Sequence, residues 1–174
     1  CWTSAPERLP MIWHIAQINV AIFRVDRADP VNADFEAALD EVNALAEASP
    51  GFVWRMTGEG ENDDPQTTIN MTVWETIDQL AAFAYRDATH RTVMRRRKEW
   101  FIETPAYLAL WWVPAGTIPT LRQGQAKLEL IGRLGPTRDA FDFKTVFPAP
   151  EGYARGRGPD PGERRAPARP TLST

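Results

Sequence analysis

The stretch WHIAQINVAIF, residues 13–23, decides how the chain is read. Successive side chains of a strand point to opposite faces. Ile12, His14, Ala16, Ile18, Val20 and Ile22 therefore share one side, and Trp13, Ile15, Gln17, Asn19, Ala21 and Phe23 the other. Apart from His14 near a strand end, the first side is an ordinary apolar face. The second is apolar at both ends with two carboxamides between them. Water is a poor neighbour for Trp13, Ile15 and Phe23, and a plain core is a poor neighbour for Gln17 and Asn19 unless they find partners.

The same asymmetry returns further along. TTINMTVWE, residues 67–75, reads as a strand with Ile69, Met71 and Val73 on one face and Asn70, Thr72 and Trp74 on the other. Between the two strands, Phe35, Ala38, Leu39, Val42, Leu45 and Ala46 recur at helical spacing until Pro50 and Gly51 stop the helix, and FVWRMT then makes a short strand. Thr76 and Gln79 have the spacing of a capping box before a helix carrying Leu80, Phe83 and Ala84. A further helical stretch, ATHRTVMRRRKEWF, puts Val93, Met94, Arg97, Trp100 and Phe101 on one stripe with His90 at its start. AYLALWWV is the fourth strand. Thr120 to Gly135 bounds a shorter helix, and AFDFKTVF alternates as an added edge strand closed by Pro148.

The order is β-α-β-β-α-β with a short C-terminal αβ extension, an α+β class with a ferredoxin-like antiparallel sheet. Helices on one face of such a sheet leave the other open. The purely apolar strand faces are expected beneath the helices. The open side then receives Trp13, Gln17, Asn19, Phe23, Asn70, Thr72, Trp74, Tyr107, Trp111 and Arg55. Large aromatics bury roughly 150–250 Å² each, and an uncovered patch of five would exceed the about 300–600 Å² usual for a monomer. A second copy of the sheet is the simplest cover, giving a homodimeric α+β barrel with a ligand-holding lumen.

Composition sets the boundaries. The 174 residues, 43% hydrophobic and 25% charged, suit one globular domain, expected over residues 11–148. Residues 1–10 read as an upstream or disordered segment, because MIWHIAQ makes a natural beginning at Met11. Residues 149–174, rich in Pro, Gly and Arg, read as a disordered tail. One cysteine, no apolar run of membrane-spanning length and no signal peptide point to the cytoplasm and away from a membrane. A net charge of -3 argues against a nucleic-acid partner. Two histidines and one cysteine argue against a zinc site built of such ligands, GEGENDD lacks calcium-loop spacing, and no GxGxxG, P-loop or GxSxG occurs.

WHIAQINVA, PGFVWRM, NMTVWET, MRRRKEWF, WWVPAG and the pair GPT and AFDF resemble an uncharacterised bacterial family, a domain of unknown function of the dimeric α+β-barrel superfamily, over about residues 11–150. That superfamily includes antibiotic-biosynthesis monooxygenases and haem-degrading oxygenases. The resemblance implies a homodimer with a small-molecule pocket and, on the oxygenase side, chemistry that needs no cofactor. Asn19 and Trp74 match the Asn and Trp that line the pocket of the cofactor-independent enzymes. Haem-degrading relatives use a first-strand Asn, a helix Trp and a helix His that ligates iron. Asn19 and His90 match two of these, but the helix segment LAAFAYRD offers Phe83 and Tyr85 in place of the Trp.

The candidate catalytic residues are accordingly His90, as base, and Asn19, as oxyanion partner. Gln17, Asn19, Arg55, Asn70, Thr72, Trp74, Tyr107 and Trp111 are the candidate ligand contacts, and no metal is expected unless His90 binds haem. Each has a plainer alternative. Gln17 and Asn19 could bond each other and neighbouring strands, and His90 could bond a nearby backbone carbonyl. Arg97 reads as a snorkelling side chain, with an anchor for an anionic group as its alternative. The reading as a whole is a cytoplasmic small-molecule-binding dimer acting as a cofactor-independent monooxygenase on an aromatic or polyketide-like substrate. A non-catalytic ligand-binding or stress-response dimer and a haem protein are the alternatives.

Overall fold

The computed structural model describes residues 11–58 and 64–150. The expected N-terminal segment, most of the acidic loop and nearly all of the expected tail lie outside the described residues. Strand β1 (Trp13–Ile22) is followed by a 3-10 turn (Pro30–Asn32) and helix α1 (Ala33–Ala48), then β2 (Phe52–Arg55), β3 (Thr67–Trp74), α2 (Ile77–Arg86), α3 (Ala88–Trp100), β4 (Leu108–Pro114) and α4 (Leu121–Leu134). The sheet order is β2-β3-β1-β4 and every pairing is antiparallel, the ferredoxin-like arrangement.

Local chemistry sets the element ends. Asp29 accepts from the Val31 N–H to open the turn before α1, Thr76 accepts from the Gln79 N–H to start α2, and Thr120 with Gln123 completes a reciprocal capping box on α4. Gly135 leaves α4 with φ +72°, a conformation that favours glycine. Asp87 separates the two expected helical stretches. Its extended backbone ends α2, and its carboxylate accepts from the His90 N–H at 2.8 Å to start α3.

The placement of the sheet faces is the reverse of the sequence expectation. The mixed face lies beneath α1, α2 and α3: Ile15 and Trp74 pack with Ala46 and Leu80, and Phe23 with Phe35, Trp100 and Phe101. The apolar face, with Ala16, Ile18, Met71, Val73, Ala109 and Val113, is covered by α4 through Leu121, Leu128 and Ile131. Gln17, Asn19, Asn70, Thr72 and Arg55 therefore face the chain's own helices, not an open side. Trp111 belongs to the opposite face from Gln17, because β1 pairs Ala16 with Trp111 and Gln17 with Leu110.

The expected edge strand AFDFKTVF does not form. Only Phe141 pairs with β4, exchanging both backbone hydrogen bonds with Leu110 at 2.8 and 2.9 Å. Asp142 then accepts from the Lys144 and Thr145 N–H groups, each at 2.8 Å, turning the chain out of the sheet. Phe143 and Phe147 still reach the core beside Trp112.

α4 lies close to the sheet because Gly124 has no side chain. A Cβ there would come within 2.8 Å of both Ile18 Cδ1 and Met71 Sδ, on side chains that are essentially inaccessible. Gly124→Leu gains up to about 1 kcal/mol of helix propensity but overpacks the contact. A net loss of about 1–3 kcal/mol is expected, read as a lower urea midpoint at unchanged m-value.

Candidate functional site

A cavity of about 960 Å³ opens between the mixed sheet face and helices α1–α3, at the upper end of the about 300–1,000 Å³ typical of small-molecule sites. Gln17 and Asn19 come from β1, Asn70 and Thr72 from β3, Phe83 from α2, and His90 and Arg97 from α3. Arg55, Tyr107 and Phe143 also line it. Where β1 ends and β4 begins, the lining continues past Val20 and Ile69 to Leu121, on the α4 side.

Strand register builds the polar floor. β1 and β3 place Gln17 opposite Thr72 and Asn19 opposite Asn70, so four polar side chains form a two-by-two patch on adjacent strands. Half of it is tied down. The Trp74 indole N–H donates to Thr72 Oγ1 at 3.0 Å, and the Thr72 hydroxyl donates to Gln17 Oε1 at 3.2 Å. An indole N–H can only donate, so it leaves the hydroxyl proton for the amide oxygen. The relay fixes the Gln17 carboxamide with its oxygen toward Thr72 and its NH₂ group without a protein partner among the described residues. The Asn19 and Asn70 carboxamides, half-buried and face to face, have no side-chain hydrogen bond among those residues either.

His90 bridges the break between the helices. Its Nδ1 lies 2.8 Å from the Ala84 carbonyl oxygen, which can only accept, so Nδ1 carries the proton and Nε2 the lone pair. The ring rests on Phe83, centroids 4.9 Å apart. Burial holds the imidazole below its ordinary pKa, outweighing the upward pull of the Ala84 carbonyl and of Asp87. The carbonyl bond of the plainer reading is present, and it also delivers a neutral imidazole with Nε2 as acceptor to the cavity wall.

The cavity gathers His90, Gln17, Asn19, Arg55, Asn70, Thr72 and Tyr107. Two expected contacts lie elsewhere. Trp74 is fully buried, stacked on Phe83 with centroids 5.3 Å apart, so it supports the wall from behind. Trp111 is in the core on the α4 face. Arg55 is already paired with Glu47 of α1. Phe83 and Phe143 were not among the expected contacts. Phe83 shares the helical stripe of Leu80, which points it to the sheet, whereas Phe143 reaches the cavity only because the Asp142 turn redirects the chain.

Residues 14–156 match the model of a domain of unknown function, DUF3291, and the chain belongs to that family. No curated protein matches it. Among solved structures it is similar to SnoaB, a cofactor-independent oxygenase from Streptomyces nogalater, at 16% identity over 62% of this chain and 96% of that one, TM-score 0.41. It is also similar to Rv0793 from Mycobacterium tuberculosis, at 12% identity over 62% and 98%, TM-score 0.46. A conserved protein from Methanosarcina mazei Go1 overlaps at 9% identity over 59% and 92%, TM-score 0.46. The ferredoxin-like assignment rests on the strand order itself.

Two measurements probe this geometry. Thr72→Val should cost about 1–3 kcal/mol in urea denaturation, because it leaves the buried Trp74 N–H and Gln17 oxygen without their partner. Asn19→Leu and Asn70→Leu, which strand no partner, should each cost under about 1 kcal/mol. The second concerns pH. With the native imidazole held below the unfolded value of about 6.5, the unfolded chain takes up the proton first. The His90 contribution is therefore complete above about pH 6.5 and is lost as pH falls toward the lowered native pKa. His90→Asn should flatten the decline of melting temperature across that interval.

Proposed function

We propose that this cavity binds a small aromatic molecule bearing an oxygen function and oxidises it with dioxygen, without a cofactor. The observation that carries this reading is the facing pair Asn19 and Asn70, two carboxamides unpartnered among the described residues, in the same cavity as a neutral, Nδ1-anchored imidazole. His90 Nε2 takes a proton from an activated C–H. The carboxamides, with the Gln17 NH₂ group, hold the oxyanion that forms as the carbanion delocalises. The carbanion's electron pair reduces dioxygen and the new C–O bond gives a hydroperoxide. Loss of water with the second hydrogen leaves a ketone: one CH₂ group and one O₂ become one C=O and one H₂O. Phe83, backed by Trp74, walls the ring.

The test is oxygen uptake with a panel of anthrones and hydroquinones. Turnover should fall at least tenfold in Asn19→Leu and in His90→Asn, with melting curves showing folded protein. No uptake with any member, where the same compounds bind, would favour a non-catalytic ligand carrier. A haem protein is the second reading, favoured by the same Nε2, since His90, neutral and anchored through Nδ1, would hold the iron of a bound haem. Added haemin should then give a shifted Soret band that His90→Asn abolishes.

The partner and location belong to the same proposal. A second copy of the chain would sit on the α4 side of the sheet, where Trp54, Met56 and Ile69 are only partly buried beside the core and α4 contacts β1 and β4. The expected homodimer thus moves to the α4 side of the sheet, where Trp54, Met56 and Ile69 also edge the cavity. Light scattering should find twice the chain mass at micromolar concentration, and Trp54→Asp should halve it; a stable wild-type monomer would remove the dimer. Among the described residues no helix is long and apolar enough to cross a membrane, and the single cysteine suits the cytoplasm.

A further inference from the structure

Among the described residues the cavity lining is rich in arginine. The protein carries a net charge of -3, yet the described lining holds Arg27, Arg55, Arg91, Arg95 and Arg97 against a single acid, Asp64. Asp64 accepts hydrogen bonds from the Thr67 hydroxyl and the Gln66 N–H. Arg27 and Arg55 are matched by Glu36 and Glu47. On α3 the neighbouring Arg96 is fully engaged, with Asp34 at 2.8 Å and Glu99 at 2.9 Å. Arg97 is different: it is half-buried, lines the cavity, and has no carboxylate partner among the described residues. Its guanidinium carbon stands 4.5 Å from the centroid of the Tyr107 ring, another lining residue.

That position suits an anion receptor. A half-buried guanidinium lacks part of its hydration and gains from an opposite charge. The aromatic face holds its direction without using any of its N–H donors, which remain for a carboxylate or sulfonate fork. The rest of the polar lining agrees, because the relay turns the Gln17 NH₂ group, and not its oxygen, to the free side. We propose that the ligand is an aromatic anion whose charged group sits on Arg97 while its ring lies against Phe83. This rests on the reading of the cavity as a ligand site, and adds the charge class of what enters it.

Two fluorescent probes that share a skeleton separate the ideas: 1-anilinonaphthalene-8-sulfonate and its neutral parent, N-phenyl-1-naphthylamine. They should displace one another, and the sulfonate should bind wild-type protein at least tenfold more tightly. Arg97→Met should remove most of that preference while changing the affinity of the neutral probe by less than about twofold. Arg97→Lys, which keeps the charge and loses the fork, should restore part of it. Melting curves of both variants should match the wild type. If the neutral probe binds and the sulfonate binds no better, the anion inference fails while the cavity reading stands. If the preference survives in Arg97→Met, the charge is read elsewhere and the assignment to Arg97 is wrong. Binding of neither probe would remove both.

Discussion

Helix α4 sets Leu121, Leu128 and Ile131 on Ala16, Ile18 and Met71, and the missing side chain of Gly124 lets its backbone come down onto the sheet. Once that face is sealed, the role of the other face follows. Side chains alternate, so the residues between Ala16, Ile18 and Val20 must point toward α1–α3. Those residues are Gln17 and Asn19. A β-α-β-β-α-β unit without α4 would hold this apolar face open, and the chain would have to find a cover for it. With α4 in place, Val20, Trp54, Met56 and Ile69 remain partly accessible on this face. The polar residues lie under helices because the apolar ones are covered from the other side.

Most of this geometry was readable in the sequence, and the place where reading failed is instructive. The period of two sorts β1 into its two faces without ambiguity, and the cap residues Thr76, Thr120 and Gly135 mark helix ends that the structure keeps. Periodicity says which residues share a face but not what covers it. The expectation that apolar faces lie beneath the helices assumes one covered face, and α4, read as an appendage, had no assigned place. Trp111 was misplaced by a different error, the register of β4 against β1: Leu110 and Trp112, not Trp111, share the side of Gln17. The phenylalanine alternation after Ala140 failed for another reason. Asp142 can hold two backbone N–H groups itself, and that local turn competes with sheet pairing.

The tied and untied halves of the polar patch explain how a helix-covered face tolerates it. Thr72 and Gln17 are nearly inaccessible, 4% and 7% exposed, and these are the two that bond each other and Trp74. Asn19 and Asn70, one step toward the cavity mouth, are more accessible and have no side-chain hydrogen bond among the described residues. Desolvation cost grows with burial, so the gradient from satisfied to unsatisfied follows the gradient from core to cavity. In sequence the two pairs look alike. The indole N–H of Trp74, two residues beyond Thr72 on the same face, makes the distinction by tying down one pair.

The size of the cavity bears on its contents. A space of about 960 Å³ has room for many water molecules, and its polar side chains offer them hydrogen bonds, unlike the apolar voids that stay dry. A space this large must therefore be wet when no ligand fills it. Water can satisfy Asn19, Asn70 and the Arg97 guanidinium over Tyr107, which have no side-chain hydrogen-bond or carboxylate partner among the described residues. A ligand entering the cavity displaces that water and must replace the hydrogen bonds it removes. An apolar ring alone would leave a guanidinium and up to three carboxamides desolvated. The lining therefore selects against plain hydrocarbons and favours a ring that brings acceptor oxygens with it.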